Sequence, residues 1–183
     1  MKIESGSSDG QQRTRSTRLN WLKAHFRKHR SRSPWDFCWR VAIEGLAVSL
    51  IVVAIPSILL DEPGRDFLDW PIHYTLIIIV ILAPIFETLL LQALPVAIAR
   101  WRKAGFKVQI LASLIPFTLA HLPEGVAVGV GAGLIGGFYL AFNYVHWREK
   151  SMWTALWTTT VAHAIRNGIP GLLLVLAWAF PKN

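Results

Sequence analysis

Glu87, His121, His163, Arg166 and Asn167 all stand inside strongly apolar stretches of this sequence. An ionisable group in such a stretch costs roughly 3 kcal/mol or more at membrane depth, so it needs a partner, an aqueous cavity or a function. A carboxylate, two imidazoles and an amide can together hydrolyse a peptide bond. Glu87 would take a proton from water, while an imidazole and the Asn167 amide would donate hydrogen bonds to the developing oxyanion. Three other readings use the same residue types. They serve as interhelical hydrogen-bonding glue, two His and one carboxylate bind Zn or Fe, or the set forms the proton relay of a transporter. His163 and Asn167 are four apart and share a helix face, as do Phe117 and His121. Arg166 falls within the arc of His163 and Asn167, where it either adds positive charge or snorkels to the outer interface.

Apolar residues make up 53% of the 183 and charged residues 16%, against about 25% charged in a soluble domain. The length gives room for one compact domain. Apolar runs of spanning length fall at about 37–60, 71–99, 108–122, 124–145 and 151–168. A short sixth segment, 169–180, is a short helix, a re-entrant piece or the end of a kinked fifth helix. The expected fold is all-α, a polytopic transmembrane bundle of about five to six helices. Glu87 lies 12 residues before the end of the second run, His121 13 after the start of the third, and His163 12 after the start of the fifth. At about 1.5 Å per residue all three sit roughly 18 to 20 Å from one membrane face. Separate helices thus deliver an acid and two imidazoles to one level.

The formal charge is +8, and residues up to Arg40 carry ten Lys or Arg against Glu4, Asp9 and Asp36. Residues 1–33 read as a basic cytoplasmic arm, largely disordered in its first half. Within it, 19–30 (LNWLKAHFRKHR) is either an amphipathic helix lying on the membrane or a solvated tail. Residues 34–183 read as the transmembrane domain. The loop 61–70 is acidic, whereas RWRKAGFK (100–107) and HWREK (146–150) are basic, so every basic loop falls on one side, which the positive-inside rule makes cytoplasmic. The charge pattern points to the bilayer as partner and to no nucleic acid. Cys38 is the only cysteine, which excludes an intrachain disulfide, and no cleaved signal peptide is expected. Gly125, Gly129, Gly133 and Gly137 form a small-xxx-small ladder, widened by Gly131 and Gly136, and read as a packing face.

The polar residues fall in motifs. APIFETLLLQ (83–92), FTLAH (117–121) and HAIRN (163–167) resemble, in order and spacing, the three motifs of the type II CAAX prenyl endopeptidase and bacteriocin-processing family (CPBP, or Abi). The resemblance covers about 73–172. It implies a four-helix catalytic core and an intramembrane glutamic endopeptidase without catalytic metal or other cofactor. Glu87 would activate water, His121 would help hold it, and His163 with Asn167 would form the oxyanion hole. The implied substrate is a peptide or membrane protein, and the implied location is the bacterial inner (plasma) membrane with the N-terminus cytoplasmic. The first motif departs from pattern: Thr88 stands for a second glutamate and Gln92 for an arginine. Both charges of a helix-face pair are missing together, which leaves no lone buried charge and lets the pocket fold. Thr88, Gln92, Phe117 and Arg166 are therefore expected as supporting residues. The departure feeds an alternative, a catalytically silent member acting as a membrane scaffold or in bacteriocin immunity. A small transporter is a further alternative, against which the absence of an internal repeat counts.

Overall fold

The computed structural model describes residues 33–59 and 70–180, with the side chains of 55–59 excepted. The expected basic arm, apart from Ser33, and nearly all of the acidic loop lie outside the described residues.

Five helices are long and apolar enough to cross a membrane, and no strand occurs among the described residues. They are α1 (Pro34–Leu59), α2 (Ile72–Trp101), α3 (Phe106–His121), α4 (Val126–Arg148) and α5 (Met152–Ala179). The expected fifth and sixth segments are one helix, because α5 runs through Pro170 without a break. A proline inside a helix removes one N–H and bends the axis, but in an apolar span its neighbours keep the rest of the ladder in place.

Helix ends follow local chemistry. α1 opens with Pro34, whose missing N–H is one that no helix start could pair. Asp36 in its first turn binds Arg40 at 2.8 Å. α5 opens on Ser151, whose Oγ accepts from the Thr154 N–H at 3.4 Å. Between α3 and α4 the chain makes a single 3₁₀ turn, Leu122–Glu124, and reverses at Gly125 with φ 114°. That conformation needs glycine, so Gly125 is the corner before α4 rather than the first rung of the packing ladder.

α4 is the most enclosed of the five and α2 among the least. The remaining ladder glycines explain why α4 is central. Gly133 lies against the Thr118 backbone and the His121 side chain, and Gly137 against Phe117 and Leu114, so α3 approaches closely along one face. Gly131 faces Val53 of α1. A buried cluster of Cys38, Ala42, Phe117, Leu140 and Ala162 joins α1, α3, α4 and α5.

α2 and α4 both contain π-helical stretches, at Ile77–Leu82 and Thr88–Ala93 in α2 and at Gly129–Gly136 in α4. In α2 these flank Glu87 on both sides. Wider turns of this kind re-aim side chains and free backbone carbonyls.

Candidate active site

Glu87, His121 and His163 converge from α2, α3 and α5. His121 Nε2 lies 3.7 Å from Glu87 Oε2 and His163 Nε2 3.8 Å from the same oxygen. All three line a cavity of about 550 Å³ together with Phe117, Asn167 and Arg166. Ile78, Ile79, Pro170, Leu173 and Leu174 give it an apolar wall. The Glu87 side chain is 25% exposed, that of His121 10% and that of His163 5%.

Each imidazole is held from α3. His121 Nδ1 lies 2.8 Å from the Phe117 carbonyl, one helical turn back. A carbonyl only accepts, so Nδ1 carries a proton, and in its neutral form the ring presents Nε2 toward Glu87 as an acceptor. The Phe117 ring stacks on His121 at 4.7 Å and leans on His163 at 5.8 Å. One residue thus orients both rings, the first through its carbonyl and face and the second through its face. His163 Nδ1 is buried and has no hydrogen-bond partner among the described residues.

The Asn167 amide is fixed by a proline on another helix. In the π-helical turn before Glu87 the Ala83 N–H reaches the Ile78 carbonyl, five residues back. Pro84 comes next and has no N–H, so the Ile79 carbonyl is left to a side chain. Asn167 Nδ2 donates to it at 2.8 Å. This locks the amide orientation and leaves the second Nδ2 hydrogen over.

Arg166 does not snorkel. It is 7% exposed, and its Nη2 donates to Ser49 Oγ at 2.8 Å and to the Gly131 carbonyl at 2.7 Å. Its guanidinium lies against Gly136, where a Cβ would collide with it. Gly136→Ala is therefore expected to lower the melting temperature in detergent, since overpacking of this kind costs about 1–3 kcal/mol. Gly168→Ala, whose Cβ would meet only Val80 at 3.7 Å, should leave melting unchanged or raise it, because alanine favours the helix.

Thr88 and Gln92 are fully buried but do not line the cavity. Gln92 Oε1 is hydrogen-bonded by Ser113 Oγ. Thr88 Oγ1 has no hydrogen-bond partner among the described residues. Sequence reasoning missed Ser49, Glu124 and Glu44. Glu124 lines the cavity, and Glu44 inside α1 accepts from Tyr139 OH at 2.9 Å. A serine and an acid within the first apolar run were the available signals. Among the described residues, no group of three or more His, Cys, Asp or Glu converges in metal-holding geometry.

One family model, type II CAAX prenyl endopeptidase Rce1-like, matches residues 69–169, a little over half of the chain and close to the span of the three motifs. No curated protein and no solved structure matches.

Proposed function

The chain belongs to the Rce1-like family of type II CAAX prenyl endopeptidases, and we propose that it is an intramembrane endopeptidase in which Glu87 activates water. The observation that carries this is the pair of acceptors, Glu87 Oε2 and His121 Nε2, 3.7 Å apart. At that distance neither can bond the other well, but both can accept from one water. Glu87 takes one of its protons, and the hydroxide attacks the scissile carbonyl to form a tetrahedral oxyanion. His163 Nε2 and the second Asn167 N–H donate to that oxyanion. His163 Nδ1 has no hydrogen-bond partner among the described residues, so the ring proton is better placed on Nε2. The proton on Glu87 then passes to the leaving nitrogen as the C–N bond breaks.

The chain is an integral membrane protein with a peptide or membrane-protein substrate. The apolar cavity wall suits a substrate segment that enters from lipid. We propose the bacterial plasma membrane as its location, in line with the family resemblance, and residues 1–33 as a cytoplasmic arm before a transmembrane domain, 34–183, an orientation that the basic loops support. The uncharged, buried pair Thr88 and Gln92 favours a second reading, a silent membrane scaffold. Comparative proteomics of membrane peptides from cells carrying wild type or Glu87→Gln separates the two. A protease yields cleavage products that vanish with Glu87→Gln, and identical peptide sets would remove the protease reading.

A further inference from the structure

Arg166 is a buried, doubly hydrogen-bonded charge outside the proposed water and oxyanion groups. Three helices contribute to its seat. Ser49 comes from α1, which precedes the family-matched segment. Gly131 supplies a carbonyl and Gly136 a bare backbone from α4, and Arg166 itself belongs to α5. Ser49 is buried as well, and its Oγ lies 2.8 Å from both the Gly45 and Gly131 carbonyls. Its one proton goes to either while its oxygen accepts from Arg166. Both Nη2 hydrogens of Arg166 are thereby used on neutral oxygens, and its charge is not cancelled by either contact.

A buried cation in an apolar span needs an opposing charge. The acids lining the same cavity are Glu87 and Glu124, and the other titratable groups there are His121 and His163. Glu87 and Arg166 line this cavity from α2 and α5, and Arg166 follows by three residues, one helical turn, the His163 whose Nε2 lies 3.8 Å from Glu87 Oε2. On α2 itself the near neighbours of Glu87 one helical face away, Thr88 and Gln92, are neutral.

We propose that Arg166, seated by Ser49 of α1 and by the Gly131 carbonyl, is the counter-charge that positions the Glu87 carboxylate, so that α1 is a working part of this site. Arg166 is a positioning residue and acts through Glu87. The consequence for catalysis rests on the reading of Glu87 as the base, but the charge coupling does not.

Two readouts on purified full-length protein test it. In melting experiments, Glu87→Gln and Arg166→Gln each lower the melting temperature, because each removes one member of the opposed pair. The double variant melts no lower than the worse single. Additive losses would overturn the coupling. Should Arg166→Gln fail to fold, Ser49→Ala carries the same cycle against Glu87→Gln, since it removes only a hydroxyl. In cleavage assays on a substrate found by the proteomic comparison, Ser49→Ala lowers kcat at least about tenfold through misplacement of the charge. KM is unchanged, and Ser49→Thr, which restores a hydroxyl, recovers the rate. A kcat unchanged in Ser49→Ala would also overturn the proposal. Absence of cleavage by the wild type would sink the protease reading instead, and the melting cycle would still decide the coupling.

Discussion

Glu87→Gln is expected to lower the cleavage rate about 10³-fold, within the range of roughly 10² to 10⁴ attached to a positioned general base. The substitution keeps side-chain length and volume, so the cavity shape survives. What it removes is the ability to take a proton from water. His121 stays oriented as before, because its Nδ1 is held by the Phe117 carbonyl. Substrate binding should therefore hold while turnover collapses. Glu87→Asp makes a sharper comparison. It retains the base but withdraws the carboxylate by one methylene, about 1.5 Å. A retreat of this size costs on the order of 10²-fold where geometry controls the rate. The order wild type, Asp, Gln is then the expected ranking. Product formation in liposomes, followed by mass spectrometry, measures it. Full activity in Glu87→Gln would remove Glu87 from the chemistry.

The convergence of Glu87, His121 and His163 was legible because depth in a membrane helix is a count of residues from a charged loop. The boundaries moved only slightly: α3 starts at Phe106 rather than near 108, and α2 ends at Trp101 rather than near 99. Such shifts change depth by about 3 Å, too little to separate the groups. The pairing of His121 with Phe117 was legible too, since four residues make one turn. Rotation about a helix axis is harder. Whether Arg166 reaches outward or inward depends on what its neighbours offer, and its partner Ser49 lies 117 residues away in sequence. The same holds for Asn167 and the Ile79 carbonyl, 88 residues apart. Pro84 was visible as a residue, but its effect depends on the π-helical turn that leaves Ile79 unpaired, and no local pattern announces that turn. The sixth apolar segment was ambiguous for a related reason. Gly168 and Pro170 signal a helix stop in water, whereas inside a bundle the helix continues.

His163→Ala and Asn167→Ala are expected to lower kcat by roughly 10² to 10³ each, the loss associated with one oxyanion donor. KM should change little, because both donors meet charge that exists only after attack on the carbonyl. The two losses should not multiply. His163 and Asn167 lie one turn apart on α5 and, in this mechanism, face one oxygen atom, so the double variant should fall little below the worse single. Asn167 has a second task that separates it from His163. Its Nδ2 also satisfies the Ile79 carbonyl. Asn167→Ala leaves that carbonyl unpaired in α2, close to Glu87, and should lower the melting temperature as well as kcat. Asn167→Asp places a carboxylate against the carbonyl and should be worse on both counts. His163→Ala should leave melting closer to wild type, since its buried Nδ1 has no hydrogen bond among the described residues to lose. If His163→Ala retains wild-type kcat while Asn167→Ala loses both rate and stability, Asn167 acts only as a lock on α2, and the oxyanion must be stabilised from elsewhere in the cavity.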